Sequence, residues 1–234
     1  MSNINIIQLL ATLLAWVVIG YIGYRIYRKQ EEKAKPWKLL ISFGIGLFTF
    51  SFHFQVAQEI LKLPLLPLGV WLLYLLFPRK SRWPLYRPFA WLGFLAQFIF
   101  LAATVVSMGL HSVIYPTPLA TTYLADVQQA SLQTLHSEFP ERELDLEILE
   151  AQLSELAPAR FFDQDWYEHV YMHESNREKE RFPYQLVGIR PGWGSGIQAV
   201  IYLEKDGQGF LVSTAKGQYY FRAEQSMLKE EVPE

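Results

Sequence analysis

The side chains able to carry chemistry in this sequence are few and scattered. His169 and His173 stand four residues apart, which on a helix puts both imidazoles on one face, as in zinc-binding pairs. Glu168 and Glu174 flank them as potential ligands. The metalloprotease pattern needs a glutamate directly after the first histidine as general base, and Val170 stands there instead. The pair therefore reads as surface histidines beside a charged loop, and no metal or other cofactor is implied.

A second candidate is the run Gly192-Trp193-Gly194-Ser195-Gly196. It is not a nucleophile elbow, because Trp193 occupies a position that motif gives to glycine. Nor is it a phosphate-cradling loop, since a strand rather than a helix is expected after it. The run reads as a wide turn presenting Trp193, which is either buried in the core of its domain or exposed as an anchor for a partner or a membrane interface. Three further polar residues sit inside apolar stretches: His53, Gln97 and His111. Groups of this kind within a bilayer are costly and often functional. On two spans His53 and His111 would lie at similar depth and face each other, while Gln97 would hydrogen-bond across helices.

These residues depend on elements of two contrasting kinds. Up to Ile114 there are 11 Lys/Arg against 3 Asp/Glu; from Tyr115 onward there are 10 against 20, and the two halves sum to the net charge of −2. The first part is a series of apolar runs: Ile4 to Ile26, Leu39 to Phe54, Ile60 to Phe77, and Phe89 to Leu110 or Ile114. About 20 apolar residues in a helix cross a hydrocarbon core of roughly 30 Å. The expectation is therefore an all-α membrane region of four transmembrane helices over residues 1–114, the second and third being either full spans or halves of a tight hairpin. Arg25, Arg28, Lys29, Lys33, Lys35 and Lys38 follow the first run, and Arg79, Lys80, Arg82 and Arg87 follow the third. Basic loops stay in the cytoplasm, which places the N-terminus and the C-terminal domain outside a multi-pass protein of the cell membrane. The first run is too long for a signal-peptide core and no positive charge precedes it, so it is expected to remain as a span.

Residues 115–234 read as a small extracytoplasmic α+β domain, two helices followed by an antiparallel β-meander. Leu119 to Phe139 and Leu144 to Leu156 carry apolar residues at helical spacing. Tyr184–Ile189, Ile197–Leu203, Phe210–Thr214 and Gln218–Arg222 are short, rich in β-branched and aromatic residues, and separated by glycine-containing turns. The absence of cysteine excludes a disulfide scaffold and cysteine-based metal sites, and fits a bacterial envelope. The short basic segments flank apolar runs, which argues against nucleic acid as a partner. The reading that follows is a non-catalytic envelope protein whose outer domain binds a protein, peptide or ligand, with the lipid bilayer and a membrane or envelope protein as partners. A small transporter or channel subunit lined by His53, Gln97 and His111 is the alternative, and a metal-dependent hydrolase comes third.

Overall fold

The computed structural model describes residues 4–56, 59–76, 82–159 and 180–229. The chain divides into two compact units, one made of Met1–Ile6 with His111–Glu234 and the other of Ile7–Leu110.

The unit of residues 7–110 is not the four-helix region that the hydropathy suggests. Among the described residues two helices are long and apolar enough to cross a membrane: α1, Ile6–Lys29, and α4, Trp83–Ile114. In their most apolar windows 11% and 33% of residues are buried, whereas the core helix of a soluble protein is mostly buried. Leu14, Val17, Val105 and Val106 all stand exposed on these two helices. The second and third apolar runs form something else: α2, Pro36–Gly46; a hairpin of β1, Phe50–Val56, and β2, Glu59–Leu66; and α3, Leu68–Leu76. At 1.5 Å per residue α2 reaches about 16 Å and α3 about 14 Å, half of a hydrocarbon core.

The reasons are local. Gly44 and Gly46 weaken the helix at the end of α2, and the next segment alternates strictly between Phe50, Phe52, Phe54, Val56 and Ser51, His53, Gln55. Period-two alternation with aromatic residues favours a pleated strand over a helix. Pro64, which has no N–H to give a helix, sits in β2 opposite Ser51, where the register shifts. Pro67 stands just ahead of α3 and its carbonyl accepts the amide of Trp71. Glycines let these short elements close on α4 and on each other. A side chain on Gly46 would strike the backbone of Ala90, and one on Gly93 would strike Phe43 O and the backbone of Gly46. This is close backbone packing between helices through small residues.

The other unit is built on a six-stranded antiparallel sheet. Its strands are β3, Ser131–Thr134; β4, Ala157–Pro158; β5, Tyr184–Val187; β6, Ala199–Leu203; β7, Gly209–Thr214; and β8, Gly217–Arg222, in the order β3-β5-β6-β7-β8-β4. One face, carrying Tyr184, Leu186, Ile201, Leu203, Phe210, Val212 and Phe221, forms the core with Tyr123, Leu124, Val127 and Leu149. Among the described residues this unit has one α-helix of its own, α5, Leu146–Gln152, capped by Asp145, whose carboxylate accepts the amides of Glu147 and Ile148 at 3.1 Å. The expected helix over Leu119–Phe139 is absent. Ala120–Thr122 forms a single 3-10 turn, Asp126 bridges to Arg190, and Ser131–Thr134 pairs with β5. Its apolar residues Tyr123, Val127 and Ala130 are buried as expected of core positions, but an irregular chain delivers them. With two candidate spans, five helices among the described residues and this larger sheet, the architecture replaces that of four spans and a small domain.

Candidate functional site

The loop between β5 and β6 is held by several directed hydrogen bonds. Gly192 N donates to Thr122 O at 3.0 Å and Ser195 N to Gly192 O at 3.1 Å, closing the turn. Its carbonyls then bond to residues of the same unit at the start of α1 and the end of α4. Ile6 N, the first residue of α1, donates to Gly194 O at 3.0 Å. Tyr115, the residue after α4, donates its hydroxyl to Trp193 O at 2.6 Å. His111, in the last turn of α4, holds Ser195 O at 2.8 Å through Nε2. A carbonyl only accepts, so the bond requires the hydrogen on Nε2.

Glycine makes this approach possible. Gly194 and Gly196 have φ of 76° and 69°, a left-handed region that other residues enter at a cost. A side chain at Gly194 would meet Ile6 at 2.8 Å, and one at Gly196 would meet the backbone nitrogen of Asn5 at 2.9 Å. Ser195 is buried, and its hydroxyl accepts the amide of Ile197 at 3.2 Å, so it serves the loop rather than standing as a free nucleophile. Trp193 is turned outward and is 85% exposed.

The remaining sequence candidates are not brought together. His53 is exposed on β1 with Lys62 as its cross-strand neighbour, so it lies on no span. Gln97 donates from Nε2 to Leu47 O at 3.1 Å, covering a carbonyl left free beyond the end of α2. His111 belongs to the other unit and is engaged with Ser195. His169 and His173 lie outside the described residues. Among the described residues no group of three or more His, Cys, Asp or Glu could hold a metal ion.

Two features had no counterpart in the sequence reading. The first is a buried carboxylate: Glu204 accepts from Arg181 Nε, from Arg222 Nη1 at 3.0 Å and from the Tyr220 hydroxyl. Arg222 also reaches Asp206 at 2.6 Å, so two cations balance two anions around the β6–β7 turn. Burial, followed by the bond to Glu204, pushes the Tyr220 phenol above its ordinary range. Balanced charge and complete pairing mark this cluster as a clamp on the hairpin. Its sequence signal was the placing of Tyr220 and Arg222 on one face of β8, two residues apart. The second feature is a groove of about 440 Å³ lined by Thr117, Pro118, Pro158, Leu211, Tyr219 and Phe221 among others. Its wall mixes prolines and aromatic rings with polar groups such as Thr117 and Gln218.

The chain matches no known family model, no curated protein and no solved structure.

Proposed function

We propose that this chain is a membrane-anchored, non-catalytic binding protein of the bacterial envelope. In this reading α1 and α4 cross the bilayer, while α2, the β1–β2 hairpin and α3 enter and leave on one side. The basic segments 25–38 and 79–87 flank that insertion on its two ends, as expected for the cytoplasmic face. The unit that follows α4 then stands on the opposite side, where it holds a protein or peptide partner against the groove beside Tyr219 and Pro158.

The observation that carries the reading is the triple attachment of the 191–197 loop to Ile6, His111 and Tyr115. In this reading backbone carbonyls of the sheet unit hold the residues at the start of α1 and the end of α4, where the chain enters and leaves the bilayer. A transport role would need a shared polar path, but Gln97 and His111 are each bonded to a different backbone carbonyl and His53 lies on the β1–β2 hairpin. The test is photo-crosslinking in intact cells from a benzophenone amino acid placed at Tyr219, with a second at exposed Ala215 as control. The reading predicts a discrete adduct from position 219 and not from 215; no adduct above the control, or equal labelling from both, contradicts partner binding at the groove.

A further inference from the structure

The indole of Trp193 has no task inside its own unit. It is 85% exposed, and the loop that carries it is fixed by its backbone rather than by its side chain. The surroundings explain what could receive it. Ile4, Val113 and Ile114, at the entry of α1 and the exit of α4, are 54%, 77% and 56% exposed. They belong to the same unit as the loop and lie within two residues of its attachment points. Tyr115 adds a second amphipathic ring, its hydroxyl bonded to Trp193 O.

We infer that Trp193 is a third membrane contact of this protein, an interfacial anchor seated among the lipid headgroups next to the ends of α1 and α4. The inference rests on the reading of α1 and α4 as spans. Three arguments select lipid over a protein partner. The loop is bonded directly to the two chain segments that leave the hydrocarbon, so it stands at the depth where tryptophan and tyrosine concentrate in membrane proteins. An indole combines an apolar body with one N–H donor, which suits a boundary that is oily on one side and wet on the other. Ile4, Val113 and Ile114, in the segments bonded to its loop, are apolar and exposed, as contact with lipid requires. The two left-handed glycines have a clear role here. They let the chain turn tightly enough to lay its carbonyls on Ile6 and His111 while the side chain of Trp193, just before them, stays exposed.

The cysteine-free chain offers a clean experiment. Four single-cysteine variants, Trp193→Cys, Val17→Cys, Val106→Cys and Ala215→Cys, are spin-labelled in the full protein and placed in phosphatidylcholine nanodiscs. Collisional relaxation by oxygen and by a water-soluble nickel chelate then gives the depth of each label. The inference predicts labels 17 and 106 in the hydrocarbon, label 215 in water, and label 193 at headgroup depth. Its nickel accessibility should be several-fold below that of 215 and its oxygen accessibility below that of 17. If label 193 matches label 215 while 17 and 106 are deep, the anchor is wrong and the spans stand. If 17 and 106 are themselves open to nickel, the spans fall and the anchor with them. Shielding of label 193 from both probes would show protein covering the site and would also overturn the inference. As a check on the native side chain, headgroup-proximal brominated lipid should quench less tryptophan emission in the Trp193→Phe variant than in the parent; equal quenching counts against the proposal.

Discussion

Replacing Glu204 by alanine removes an anion that Arg181, Arg222 and Tyr220 share. Glu204 is 9% exposed, and its two oxygens accept from all three partners. Breaking a buried, hydrogen-bonded ion pair costs about 3–5 kcal/mol, most of it from charge left without a partner. The two arginine side chains keep 31% and 42% exposure, so water takes over part of that charge. Arg222 also retains Asp206 and Gln208. With these discounts the expected loss is about 2 kcal/mol. For a unit of this size that lowers the melting temperature by roughly 10 °C. The assay is near-ultraviolet circular dichroism of the full chain in nanodiscs, which follows the aromatic side chains packed around the sheet. Glu204→Gln, which keeps the shape and loses the charge, should lie between parent and Glu204→Ala. Combining Glu204→Ala with Arg222→Ala should cost less than the sum of the two, because the residues act on each other. A shift below about 2 °C for Glu204→Ala, or strict additivity in the double variant, would refute the clamp.

Three further outcomes follow from the same geometry. Gly93→Leu places a side chain against Phe43 O and the backbone of Gly46 and should cost about 2 kcal/mol by overpacking, seen as an earlier midpoint in detergent unfolding. Burial raises the phenols of Tyr123 and Tyr220, so their contribution to stability is complete below about pH 10 and is lost progressively above it, as pH rises through their raised folded values. The sheet unit should therefore unfold in alkali with a rise in phenolate absorbance, and Tyr220→Phe should move that transition to higher pH. Lys229 bonds the exposed Glu143 at 2.7 Å and, by that hydrogen bond and its charge, holds the carboxyl below its ordinary range. Lys229→Ala should return the Glu143 titration seen by NMR to the ordinary carboxylate range while the melting temperature stays unchanged, since solvent screens such a pair.

What the sequence made legible depended on whether the signal was local. The strands β5 to β8 fall where alternation and turn residues place them, because a meander is specified by neighbouring residues. α1 and α4 were visible for a similar reason, since each is a long run with no competing pattern. The region between them was misread because hydropathy counts apolar residues and ignores their period. Phe50, Phe52, Phe54 and Val56 raise the hydropathy of a window as effectively as a helix face, yet their spacing of two is that of a strand. Residues 119–139 failed in the opposite direction: Tyr123 and Val127 are four apart, but the prolines at 116 and 118 and the pairing of Ser131–Thr134 with β5 commit the chain elsewhere. Tertiary partners decide such segments, and spacing alone does not reveal them. In the candidate site, Trp193 was visible as an aromatic among glycines. Its backbone bond to Tyr115, 78 residues earlier in the chain, was not. The Glu204 cluster was hidden for the same reason, with Arg181 23 residues from its carboxylate partner.

The central claim is that α1 and α4 carry the chain across a bilayer and back, leaving the sheet unit outside and the basic segments inside. The direct measurement is labelling of single cysteines by a membrane-impermeant maleimide in intact cells, with Ala215→Cys reporting on the sheet and Lys33→Cys on the segment after α1. The account predicts that position 215 reacts at once and position 33 only after the membrane is permeabilised. Reaction at 33 with protection at 215, or immediate reaction at both, would contradict it.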